Sequence, residues 1–291
     1  MLQIVLAAII VNASAAQQAS LNYEAFASFY TRLMNGETTA QLEDTVPGLR
    51  RNLKTASRVS ADYWTDCTPY DELAKEDILP VRVLEALGIR RTVDGGVAHV
   101  PAGVMHTYGY LFSQLKTAYG LKGKRWIESR LDERLGLPAG TFSPYTLRGE
   151  FASNVTSALL QLAGEKPKLA RAARLRPSAK VLGRIEQNVT WRAPDGQEIS
   201  AVVVTRLVEL RPLEGFERSD VALLIYEVVR DRRRRLVTAF PVGRGFADDL
   251  SASKPSEEAA FKPRFNLYVD PSWTVGAQKN SGFLLAAGRD D

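Results

Sequence analysis

The hydrophobic period of this chain changes once, and that change limits what it can fold into. Up to about residue 164, apolar residues recur at three- and four-residue steps, as in Tyr23, Phe26, Tyr30, Leu33 and Met34, which lines one face of a helix. From residue 181 onward they alternate with polar residues, the period of a strand with one buried face. Helices followed by antiparallel strands predict an α+β fold, a mainly helical N-terminal half and then an antiparallel sheet of about five strands, rather than alternating βαβ units. The basic, alanine-rich span between them, bracketed by Pro167 and Pro177, sets the expected boundary. Residues 17–164 then form a helical domain with one small hairpin, 165–180 a linker, and 181–291 a β-rich domain.

Punctuation fills in the elements. Asn35-Gly36 stops the first helix, and Pro47 breaks the second, which runs from Thr39 to about Ala61. Thr68-Pro69-Tyr70-Asp71 has the form of a helix start, with a capping hydroxyl, a proline in the first position and acids in the first turn. Pro80 opens a short helix closed by Gly88, and Asp94-Gly95-Gly96 joins two short strands as a tight turn. A helix from Val104 to Tyr119 puts Tyr108, Leu111, Phe112 and Leu115 on one face and His106, Tyr110 and Ser113 on the other. The next helix has Ile127, Leu131 and Leu135 inside, with Arg130, Asp132, Glu133 and Arg134 in water. A further helix from about Leu147 to Ala163 buries Phe151, Val155, Leu159 and Leu162. The strand half reads as two hairpins, Val181–Arg192 with Gln197–Leu210 and Val221–Val229 with Arg235–Val242, and a fifth strand at Phe265–Val269.

The N-terminal seventeen residues combine an apolar run from Ile4 to Val11 with an Ala13-Ser14-Ala15 ending. That is the form of a secretory signal with a small-residue cleavage site, although no Lys or Arg precedes the run. Residues 1–16 are therefore expected to be removed on export to a periplasmic or extracellular space; without cleavage the chain is expected in the cytoplasm. The run is too short to span a bilayer, which takes about 20 residues, so no transmembrane segment is expected. Cys67 is the single cysteine and cannot form an internal disulfide.

Two clusters carry side chains that could do chemistry. The first is His106, Tyr110 and Lys116 on the central helix with Lys124, Arg125 and Trp126 in the loop after it. An imidazole can exchange a proton near neutral pH, and Lys and Arg can hold a carboxylate or phosphate, the latter bidentately. The second is the run Arg230, Arg232, Arg233, Arg234 and Arg235 between two strands, which reads either as a solvated hairpin tip or as a phosphate-contacting surface. A formal charge of +5 agrees with an anionic ligand or protein partner, but the cations are interspersed with carboxylates, which argues against nucleic acid. His99 and His106 do not share a metal-ligand spacing, and Gly243-Arg244-Gly245 lacks the residues of a phosphate loop or a dinucleotide fingerprint. Neither metal nor cofactor is expected. These features point to an exported, soluble, non-catalytic protein that binds a ligand or partner between its helical and strand halves. The alternative is a hydrolase or nuclease acting on an anionic substrate, with His106 as general base.

Overall fold

A computed structural model describes residues 28, 31–43, 48–71, 74–94, 97–109, 112–117, 120–121, 126, 128–138, 141–142, 151–165, 169, 176–192, 198–230, 233–245, 247–248, 267–269 and 283–284. Over these the fold is a mixture of helices and antiparallel sheets, with the main sheet in the C-terminal half. The N-terminal apolar run and most of the 165–180 span lie outside the described residues. No helix among the described residues is long and apolar enough to cross a membrane.

Helix α1 (Leu49–Tyr63) starts directly after Pro47, from Gly48 in the left-handed region at φ 81°. Its face Leu49, Leu53, Ala56 and Val59 is buried, and each such side chain larger than alanine contributes roughly 1.5–3 kcal/mol by leaving water. Strand β1 (Asp66–Cys67) follows, then helix α2 (Val81–Ala86), whose end is set by Gly88 at φ 68°. The two short strands expected there pair, β2 (Thr92–Asp94) with β3 (Val97–Pro101), while Gly95 and Gly96 lie outside the described residues. Helix α3 (Ala102–Val104) passes into a π-helical turn, Met105–Gly109. Two short helices, α4 (Leu131–Arg134) and α5 (Phe151–Leu162), complete the helical part, and α5 buries the four apolar residues its spacing predicts.

The second half is a four-stranded antiparallel sheet made of β4 (Lys180–Arg192), β5 (Glu198–Glu209), β6 (Val221–Arg230) and β7 (Arg233–Gly243), in the order β7-β6-β5-β4. Both expected hairpins are present. Val208, Leu223, Ile225, Leu236 and Ala239 of this sheet share one apolar cluster with Leu49, Trp64, Phe112, Phe151 and Leu159 of the helical part. The opposite face carries a smaller cluster of Leu207, Ala222, Leu224 and Ala247.

Three local expectations do not hold, each for a physical reason. The fifth strand, β8 (Leu267–Val269), does not join the four-stranded sheet. It pairs with β1, Cys67 opposite Leu267, and with β9 (Phe283–Leu284), so pairing some 200 residues apart in sequence overrides proximity. Thr68–Asp71 does not open a helix, because Asp71 Oδ1 accepts from Ala74 N at 2.9 Å and closes a turn between the two-residue strands Tyr70–Asp71 and Glu76–Asp77. The helix expected from Val104 to Tyr119 is not continuous. Residues 113–115 are irregular, with Ser113 Oγ donating to Ile78 O at 2.7 Å and accepting from Leu115 N, and Lys116–Thr117 pairs with Gly120–Leu121 as short strands.

Tyr226, which packs on Phe240 across β6 and β7 on the second face, has its phenol pushed up to about 12 by burial. Because the folded state holds this proton more tightly than the unfolded chain, the stability linked to it is intact below about pH 10 and is lost as pH rises toward 12. In an absorbance titration near 295 nm, one of the ten tyrosines should ionise late, and Tyr226→Phe should remove that late step. An unchanged curve in the variant would assign the late step elsewhere.

Candidate functional site

The π-helical turn brings His106 against α1 and β7. Its ring stacks on Trp64 with centroids 6.1 Å apart at 25°, its Nδ1 lies 3.1 Å from Thr238 Oγ1, and the residue is only 6% exposed. On either side of it the same turn is closed: Met105 and Thr107 are buried, and Thr107 Oγ1 donates to Gly103 O at 2.6 Å. A histidine in this setting ties the turn to the sheet, and a general base needs hydrogen-bond reach to the substrate proton it takes. Of the other residues in that cluster, Trp126 is buried against Phe142 and Lys116 is exposed, while Tyr110, Lys124 and Arg125 lie outside the described residues.

The arginine run does not behave as one unit. Arg233 is exposed and Arg232 is outside the described residues, but Arg234 and Arg235 turn toward the helical part. Arg234 Nη1 donates to Glu227 Oε1 at 2.9 Å and to Ala163 O at 3.1 Å, and its Nε is 3.1 Å from Glu165 Oε1. Arg235 Nη1 donates to Trp64 O at 3.1 Å. Glu227, 0% exposed, also accepts from Arg206 Nε at 2.6 Å. Two members of the run are therefore engaged inside the molecule, joining β7 to α1, β6 and the end of α5.

One pair escaped the sequence. His99 on β3 and Asp66 on β1 are 33 positions apart, and their strands are neighbours, so His99 Nδ1 comes within 2.8 Å of Asp66 Oδ2. A carboxylate in that position fixes the orientation and tautomer of an imidazole. The His99 ring is enclosed, so the pair works as a tie between strands. Among the described residues no three His, Cys, Asp or Glu side chains stand close enough to hold a metal ion.

A different place is open. At the start of β4 and the end of β5, a cleft of about 400 Å³ is lined by Lys180, Glu209, Arg211, Glu217, Arg218 and Ser219 among others. Its wall is built on Arg134, which the sequence put in water but which is 3% exposed. Arg134 Nη1 donates to Ser219 Oγ at 2.7 Å and to Arg211 O at 3.3 Å, and Nη2 to Asp220 Oδ1 at 2.6 Å. Arg211 N and Ser178 N in turn donate to the carbonyls of Arg134 and Leu135, so the last turn of α4 holds both the 211–220 loop and the approach to β4. The Arg211 guanidinium lies over Gly136, where a Cβ would come within 2.9 Å of it; Gly136 is also at φ 64°. Three cations and two carboxylates line the cleft; Glu209 is also drawn to Arg244 at 3.6 Å and Arg218 to Asp248 at 4.0 Å. A guanidinium can bind a carboxylate or phosphate bidentately. The chain matches no protein-family model, no curated protein and no solved structure at a significant level.

Proposed function

We propose that this chain is an exported, non-catalytic binding protein that takes an anionic ligand in the cleft formed by the start of β4, the end of β5 and the 210–219 segment, with Lys180, Arg211 and Arg218 as its cationic contacts. The observation that supports the reading is the cleft itself: an open concavity in the strand part, whose 211–220 wall is held by the buried, hydrogen-bonded Arg134. Export rests on the Ile4–Val11 run and the Ala13-Ser14-Ala15 ending, and the division near residues 165–180 into a helical unit and a β-rich unit belongs to the same reading. The enclosure of His106 speaks for binding over hydrolysis.

The test is thermal unfolding of the full chain in inorganic phosphate and in citrate, against chloride of matched ionic strength. A ligand at about 100 times its dissociation constant stabilises by about 2.7 kcal/mol, a shift of several degrees. The wild-type protein should show a rise with at least one of the two anions, and Lys180→Ser/Arg211→Ser/Arg218→Ser should lose it. Equal responses in both proteins, or none in the wild type, would remove the cleft from the account.

A further inference from the structure

The two edges of the four-stranded sheet are treated differently. On β7 the middle of the edge is occupied, since Trp64 bridges Leu236 and Thr65 N donates to Leu236 O at 2.9 Å. On β4 no strand among the described residues meets the outer edge over the whole of Lys180–Arg192. Such a strand is roughly 40 Å long and offers a row of main-chain donors and acceptors to another chain. Natural edges are commonly blunted by charged side chains, by proline, by shortness or by bulges, and β4 does carry charges, whose order decides what they repel. β4 contains no proline, and its one irregularity relative to β5, between Val181 and Gly183, lies at its start. Open main chain alone does not say what pairs with it.

The side chains do. Arg184 and Glu186 stand two residues apart on one face of the strand, each about half exposed, and form an ion pair within the chain. When two copies of a strand pair antiparallel about a two-fold axis through residue 185, position 184 of each faces position 186 of the other. Each Arg184 then meets the Glu186 of the second copy, twice in one contact. An axis through 184 would set arginine against arginine, and one through 186 glutamate against glutamate, both repulsive directly across a pair of strands. An axis through 183 or 189 would also oppose unlike charges, Lys180 with Glu186 or Glu186 with Arg192, but over about seven positions of the strand against about eleven for the axis through 185, so charge and length of pairing together favour 185. A two-fold contact needs a self-complementary patch.

We infer that the outer edge of β4 pairs with the same strand of a second copy of this chain, antiparallel and centred on Ile185, to make one continuous eight-stranded sheet. The inference is independent of the anion cleft.

Sedimentation equilibrium of the full chain should show a dimer. Arg184→Glu alone and Glu186→Arg alone each put like charges at two symmetric places and should weaken the dimer about tenfold or more. The double exchange, Arg184→Glu with Glu186→Arg, should restore it, and far-ultraviolet circular dichroism should be the same for all three. Register is read by disulfide formation: Ile185→Cys should cross-link under mild oxidation, and Asn188→Cys, far from the axis, should not. A wild-type monomer at tens of micromolar, a dimer indifferent to both single exchanges, or cross-linking at 188 instead of 185 would each overturn the inference.

Discussion

Replacing Glu227 with alanine is expected to lower the unfolding free energy by about 3–5 kcal/mol, the usual effect of removing one partner from a buried ion pair. Glu227 is fully buried and accepts from two guanidiniums, Arg206 Nε at 2.6 Å and Arg234 Nη1 at 2.9 Å. The consequences for the two are unequal. Arg234 keeps Glu165 and the carbonyl of Ala163, whereas Arg206, itself buried, loses a carboxylate with which it was in direct contact. Removing both charges should therefore cost much less: Glu227→Met with Arg206→Met is expected to recover most of the loss, because apolar groups of similar volume have no charge to desolvate. Urea unfolding measures both, with the midpoint moving at constant slope. A loss below about 1 kcal/mol for Glu227→Ala would mean that water reaches the pair and that it behaves as a surface contact.

Trp64→Ala is expected to cost about 3–5 kcal/mol through the cavity it leaves. The residue follows the last turn of α1 and meets three parts of the fold. Its Nε1 donates to Thr156 Oγ1 on α5 at 2.9 Å, its ring stacks on His106, its main chain bridges Leu236 on β7, and its carbonyl accepts from Arg235. The fit is close: a Cβ on Gly103 would come within 2.7 Å of Trp64 Cδ1. Trp64→Phe should keep most of the packing and lose the Nε1 bond, leaving the buried Thr156 hydroxyl short of a partner at about 1–3 kcal/mol. Tryptophan fluorescence and urea midpoints on the two variants separate the contributions. Equal losses would show that the hydrogen bond, and not the volume, dominates.

What the sequence made legible was the part written in local period and turn chemistry. The two long hairpins, the pairing of Thr92–Asp94 with Val97–Pro101 and the buried face of α5 follow from residues close to one another in the chain. The partners of the polar side chains did not follow. His106 was assigned to a polar helical face because its neighbours at three- and four-residue steps are polar, yet Thr107 and Ser113 find acceptors inside the molecule and His106 finds Thr238, 132 residues away. Arg134 looked like one more charge on a solvated helix, and only its pairing with Asp220, 86 residues on, turns it inward. The arginine run reads as a loop tip until the register puts Arg234 opposite Val229, two positions beyond Glu227. Each miss is a polar side chain whose partner comes from a distant strand, which periodicity cannot report.

The central proposal, that an anion binds in the cleft at the start of β4 and not at the His106 turn, is tested most directly by setting His106→Gln beside Lys180→Ser/Arg211→Ser/Arg218→Ser in the phosphate and citrate unfolding assay. The account predicts that His106→Gln melts lower than wild type but keeps the rise with anion, whereas the triple variant melts near wild type in chloride and shows no rise. Loss of the anion response in His106→Gln, with the response intact in the triple variant, would contradict it and return the site to the helical turn.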